Sequence, residues 1–154
     1  MVSVGQRVSN FTLPATGDKL LSLDDFRGHP LVIYFYPKDN TPGCTRESQD
    51  FRDAYADFEA AGAAILGVSR DSVRSHEKFR TSQELPFDLL SDADEALCRQ
   101  FDVIREKNMY GRKYMGIERS TFLIDPEGIL VKEWRKVRVP GHAEAVLEAV
   151  RTLG

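Results

Sequence analysis

Cysteine is scarce in this sequence: Cys44 and Cys98 are the only two among 154 residues. Two are too few for the disulfide framework of a small secreted domain, which leaves each as inert core, metal ligand or reactive thiol. No apolar run approaches the length of a membrane span. The opening MVSVGQRVSNFTL has neither the basic start nor the long apolar stretch of a secretory signal, and a cytoplasmic address is the expectation. Neither sign of charge dominates. The 21 basic and 24 acidic residues give a formal charge of -3, which argues against a broad electrostatic grip on nucleic acid or on a membrane surface. Repeats and low-complexity linkers are absent as well. What is present is an ordinary globular composition, 42% hydrophobic and 29% charged. The length suits one domain over 1–154.

Three short apolar runs stand out: Leu31 to Tyr36, Ala63 to Val68 and Thr121 to Ile124. They are continuous instead of alternating, as expected of strands covered on both faces. Between the first two, Phe51, Ala54, Tyr55 and Phe58 recur at helical spacing and make one apolar stripe, ended by Gly62. Strand, helix and strand form a right-handed βαβ unit. A polar helix over about 72–83, a short strand near 87–90 and a helix over about 93–101 come next. Residues 102–118, with Asn108, Gly111, Gly116 and scattered charges, read as a long surface loop. A hairpin around Pro126-Glu127-Gly128 and a closing helix from Ala143 complete the chain. The order implies an α/β, thioredoxin-like fold: a central mixed sheet flanked by helices, with additions at the N-terminus and in the middle.

Cys44 lies in Pro37-Lys38-Asp39-Asn40-Thr41-Pro42-Gly43-Cys44-Thr45-Arg46-Glu47, between a buried strand and an amphipathic helix. Thr41 suits the N-cap and Pro42 the first helical position, which makes Cys44 the third helical residue. First-turn amides lack intrahelical partners and the helix dipole is positive there, so a thiolate is favoured over a thiol. The alternative is a cysteine that only packs beneath the sheet edge. A metal site lacks support, since no second cysteine lies close and His29, His76 and His142 show no ligand spacing. No cofactor is implied.

The string Pro37-x-x-x-Thr41-x-x-Cys44 resembles the active-site signature of the peroxiredoxins. YPKDNTPGCTRE together with RSTFLIDPEG at 119–128 is similar to the Q-type, or bacterioferritin-comigratory, subfamily. The likeness runs over nearly the whole chain. It implies a thiol peroxidase acting on hydrogen peroxide and organic hydroperoxides in antioxidant defence, with a thioredoxin-like protein or small thiol as reductant. Cys44 would attack the peroxide and become a sulfenic acid. Thr41 would hydrogen-bond thiolate and peroxide, Pro37 would shield the site from water, and Arg119 would steady the developing negative charge. Glu47 either orients Arg119 or is merely a favourable charge in the first helical turn.

Many Q-type members carry a second cysteine five residues after the first, where this chain has Gln49. Cys98 is the remaining candidate to resolve the sulfenate, although its place at the edge of an apolar helical stripe also suits a structural cysteine. A one-cysteine cycle completed by an external thiol is therefore expected, with Cys98 as the alternative. Two other readings stand beside the peroxidase: a disulfide oxidoreductase, opposed by the absence of Cys-x-x-Cys, and a peroxide sensor using the same Cys44 chemistry. A monomer is expected, with a weak dimer as the alternative. His76 and His142 read as solvated or capping residues and Trp134 as core or edge packing. KEWRKVR at 132–138 reads as an exposed strand edge. Tyr110, Tyr114 and Met115 could line the entrance or an interface.

Overall fold

The computed structural model describes residues 1–153. Strands β1 (Thr12–Ala15) and β2 (Lys19–Ser22) form a first hairpin, followed by a 3-10 turn at Leu23–Phe26. β3 (Leu31–Phe35), α1 (Pro42–Ala60), β4 (Ala64–Ser69), α2 (Val73–Gln83) and β5 (Asp88–Ser91) alternate, and α3 (Ala96–Gln100) is short. β6 (Ile104–Met109), β7 (Arg112–Ile117), β8 (Ser120–Ile124), β9 (Leu130–Trp134) and α4 (His142–Arg151) close the chain.

Seven strands make one mixed sheet in the order β2-β1-β5-β4-β3-β8-β9. β3, β4 and β5 run parallel, while β8 joins β3 antiparallel with Ser120 opposite Phe35. Helices flank this sheet in a thioredoxin-like arrangement. Alternation along β3 divides the interior in two. Leu31, Ile33 and Phe35 enter a cluster with Leu97, Cys98 and Phe101 of the α3 region. Val32, Tyr34 and Tyr36 enter another with Cys44, Phe51 and Phe58 of α1, Phe79 of α2 and Val146 and Val150 of α4. Phe51, fully buried, stacks on Tyr34 with centroids 4.8 Å apart and anchors α1 to the sheet. Truncating such a side chain to alanine costs about 3–5 kcal/mol.

The expected βαβ unit, terminal hairpin and closing helix are present, and Gly62 (φ +79°) follows the end of α1. Residues 102–118 are not a loop. They form the β6–β7 hairpin, turned by Tyr110 (φ +53°) and Gly111 (φ +79°), a pair of left-handed residues suited to a tight hairpin turn. Most of its side chains face solvent, so the burial pattern that betrays a strand is missing from the sequence. The helix expected from Ala93 begins only at Ala96, because the Asp92 carboxylate accepts the amides of Leu97 (3.0 Å) and Cys98 (2.7 Å) and caps it there.

Candidate active site

Thr41 occupies the N-cap of α1 in extended backbone (φ -90°, ψ 151°), with Pro42 beginning the helix and Cys44 at its third position. The Thr41 hydroxyl caps no helical amide. It donates instead to the Lys38 carbonyl at 2.8 Å, which tightens the loop ahead of the helix. Cys44 is 1% exposed and points into the α1 side of the core, while Pro37 is half-buried beside the loop.

Arg119 directly precedes β8, and the pairing of β8 with β3 carries it to the start of α1. Its Nη2 donates to Cys44 Sγ at 3.4 Å and its Nη1 donates to Glu47 Oε1 at 2.7 Å. Cys44 and Glu47, three residues apart on α1, share the face that the guanidinium spans. Gly43 makes room for this crossing, since a Cβ there would stand 3.0 Å from Nη2. Burial alone would lower the proton affinity of Arg119, but Glu47 and Cys44 outweigh it and hold the guanidinium above its ordinary value. Glu47 is 1% exposed, and burial pushes its carboxyl up to about 7 against the pull of Arg119. Its Oε2 has no hydrogen-bond partner. The cluster can hold a charged sulfur and present a cation to negative charge that develops beside it.

Cys98 is fully buried on the other face of the sheet. Burial and the Asp92 carboxylate push its thiol well above its ordinary value. Gln49 donates to Gln83 on α2 at 2.9 Å.

Two histidines differ from the sequence expectation, for neither is solvated. His76 is fully buried: Nε2 donates to the Leu90 carbonyl and Nδ1 meets Asp39 Oδ2, both at 2.8 Å. Asp39 also accepts from Tyr36 Oη at 2.6 Å and Ser75 Oγ at 2.7 Å, and its own amide donates to Asp71. The Pro37–Thr41 loop is thereby tied to α2 and β5. Asp39, Asp71 and His76 bring possible ligand atoms within 4.8 Å, the one such cluster among the described residues, but hydrogen bonds within the protein already engage them. His142 shares a 2.8 Å hydrogen bond with Thr121 and packs edge-on against Phe51 and Trp134. Burial, then Arg119, lowers its pKa to about 4. Spacing offered no signal for either histidine, because their partners come from other elements. Trp134 is half-buried at the edge strand β9, and Tyr110, Tyr114 and Met115 stand exposed on the β6–β7 hairpin.

A thioredoxin-like sheet thus presents a buried cysteine at a helix start, beside an arginine that immediately precedes a neighbouring strand, and its relatives are thiol peroxidases of the peroxiredoxin class. The AhpC/TSA family model matches residues 4–133, and the chain belongs to that family. It is 59% identical to a peroxiredoxin Bcp of Xanthomonas campestris over 93% of this chain and 91% of the relative. It is 49% identical to a peroxiredoxin Bcp of Bacillus subtilis over 99% and 95%. Among solved structures it resembles the Xanthomonas campestris bacterioferritin comigratory protein, described with a trapped intermediate and ligand in alkyl peroxide reduction (TM-score 0.89, 57% identity, covering 93% and 91%). It also resembles a cysteine-to-serine mutant of Xylella fastidiosa PrxQ (TM-score 0.94, 46% identity, covering 99% and 98%). The protein is thus a thiol-dependent peroxidase that takes a peroxide substrate and a thiol reductant.

Proposed function

We propose that Cys44 is the attacking thiol and that an external thiol completes the cycle. The observation that carries this reading is the 3.4 Å contact between Arg119 Nη2 and Cys44 Sγ at the start of α1. The Cys44 thiolate attacks the terminal oxygen of a hydroperoxide. The S–O bond forms as the O–O bond breaks, which leaves a sulfenic acid and an alkoxide or hydroxide that takes up a proton. Arg119 faces the negative charge on the departing oxygen, where a fixed donor lowers the barrier most. Because the single proton of the Thr41 hydroxyl is engaged by Lys38 O, its oxygen is available to accept from the peroxide O–H and so orients the bond to be broken. Pro37 screens the sulfur from water, and Glu47 fixes the angle of the guanidinium.

An external thiol then attacks the sulfenic sulfur and releases water, and a second thiol frees Cys44 as an external disulfide is made. Burial of Cys98 across the sheet and the presence of Gln49 after Cys44 support this one-cysteine cycle. Hydrogen peroxide and organic hydroperoxides both fit the chemistry, which needs only the O–O bond.

The test is peroxide turnover by the wild type, Cys44→Ser and Thr41→Val with thioredoxin-like and small-thiol reductants. Cys44→Ser should be inactive and Thr41→Val slower by about 10–100-fold. Full activity in Cys44→Ser would overturn the reading. Oxidation that stops after one equivalent with every reductant would favour a sensor.

A further inference from the structure

Thr41 fills the N-cap position of α1 without acting as a cap. In extended backbone at that position a threonine oxygen ordinarily accepts an amide of the first helical turn. Here the hydroxyl donates to the Lys38 carbonyl at 2.8 Å instead, and its oxygen stays open to a substrate O–H. Two arrangements of one side chain therefore compete, and the direction of the Lys38 carbonyl decides between them.

That carbonyl belongs to the Lys38–Asp39 peptide, whose N–H is the amide of Asp39. In a trans peptide the N–H and C=O point in opposite directions within one rigid plane, so holding one holds the other. The Asp39 amide donates to Asp71 Oδ2 at 2.9 Å. Asp71 cannot follow the loop, because it is tied to two strands of the sheet. Its Oδ2 also accepts from Ser69 Oγ at 2.6 Å at the end of β4, its amide donates to that hydroxyl oxygen at 3.1 Å, and its carbonyl accepts from Ser91 Oγ of β5 at 2.7 Å. Asn40 then turns the chain in left-handed backbone (φ +62°), so that Thr41 reaches back to Lys38. His76, Tyr36 and Ser75 hold the Asp39 side chain and with it the loop as a whole, but Asp71 grips the peptide that faces Thr41.

We infer that Asp71 is a positioning residue for peroxide reduction: its grip on the Lys38–Asp39 peptide keeps the Thr41 hydroxyl from capping α1 and leaves its oxygen open to the peroxide. Asp71 acts through this peptide and Thr41, not on the sulfur. The inference rests on Thr41 as the residue that orients the peroxide.

The experiment measures kcat/KM for hydrogen peroxide and, separately, Cys44 alkylation by iodoacetamide, which has no O–O bond to orient. It compares wild type, Asp71→Leu, Asp71→Ala, Asp71→Asn, Thr41→Val and the double variant Thr41→Val/Asp71→Leu. Leucine keeps the shape of aspartate without an acceptor, and alanine is a second variant without one in case leucine disturbs the loop. Both should reduce peroxide at least about fivefold more slowly, with alkylation within about twofold of the wild type. Asp71→Asn, whose carbonyl oxygen can take the place of Oδ2, should recover most of the peroxide rate. The double variant should be no slower than Thr41→Val, because both changes act on one hydroxyl.

A slow Thr41→Val beside wild-type rates in Asp71→Leu and Asp71→Ala would overturn this inference alone. So would alkylation that falls with the peroxide rate, which would mark a general disturbance of the helix start. An Asp71→Asn as slow as Asp71→Leu would assign the effect to charge instead of the hydrogen bond, and a further loss of about fivefold in the double variant would place Asp71 on a separate path. Either result overturns the inference. A wild-type rate in Thr41→Val would remove the Thr41 reading and this inference together.

Discussion

Cys44 and Cys98 pack into hydrophobic clusters on opposite faces of the same seven-stranded sheet. A disulfide requires Cα atoms within ~7 Å. Bridging the two would thus demand that at least one leave its helix and its side of the sheet.

Cys98→Ser is expected to keep peroxidase turnover with an external thiol. Mass spectrometry of the wild type after one equivalent of peroxide, without reductant, should show a sulfenic acid or its trapped adduct and no internal disulfide. The serine hydroxyl would enter an apolar cluster with the Asp92 carboxylate as its acceptor, so the loss of stability should be only about 1 kcal/mol, read by denaturant unfolding. Loss of turnover in a folded Cys98→Ser would make the cycle a two-cysteine one.

Arg119→Lys tests the fork. A lysine can meet Sγ or Glu47 but lacks the planar pair of donors that reaches both. Turnover should fall by roughly 100-fold, the scale of losing one preorganised donor. Arg119→Met removes the partner that holds the Glu47 proton affinity down, so the buried carboxyl should stay protonated to higher pH and the loss of stability should grow as pH rises above 7.

Gly43→Ala should separate stability from activity. Alanine is favoured over glycine within a helix by up to ~1 kcal/mol, which opposes the loss from disturbing the buried Arg119–Glu47 pair, so the melting temperature should change little. The new Cβ, at 3.0 Å from Arg119 Nη2, displaces the guanidinium. A misplacement of this kind should slow peroxide reduction by roughly 10–100-fold. Wild-type rates in this variant would show that the Arg119 position does not matter.

Stability should depend on pH through two buried groups of opposite sign. His142, lowered to about 4, contributes stability that is present above its unfolded value of 6.5 and is lost as pH falls through about 4. The window is worth of the order of 3 kcal/mol, and His142→Gln should flatten it. Glu47, raised to about 7, contributes stability that is present below its unfolded value of 4.5 and is lost as pH rises through about 7. Glu47→Gln should therefore gain on the wild type progressively between pH 4.5 and 7. Denaturant midpoints measured across pH 3–8 for the three proteins check both slopes.

The sequence by itself determined the start of α1 and the place of Cys44 in it, because caps, proline at the first turn and helical periodicity are local properties. It also marked the strands that are buried on both faces, and the family motif pointed to Thr41, Pro37 and Arg119. Tertiary structure decided whether Glu47 was a helix-start charge or a partner of Arg119, since those residues meet across 72 positions of chain through the register of β8 on β3. It alone revealed His76, whose partners Asp39 and Leu90 come from a loop and a strand, and it alone made a hairpin of 102–118, where exposed faces erase the period that marks a strand. The side of the sheet on which each cysteine lies was likewise beyond local reading. A helix stripe shows which residues are buried, but only the packing of α1 and α3 against opposite faces fixes that Cys44 and Cys98 are kept apart.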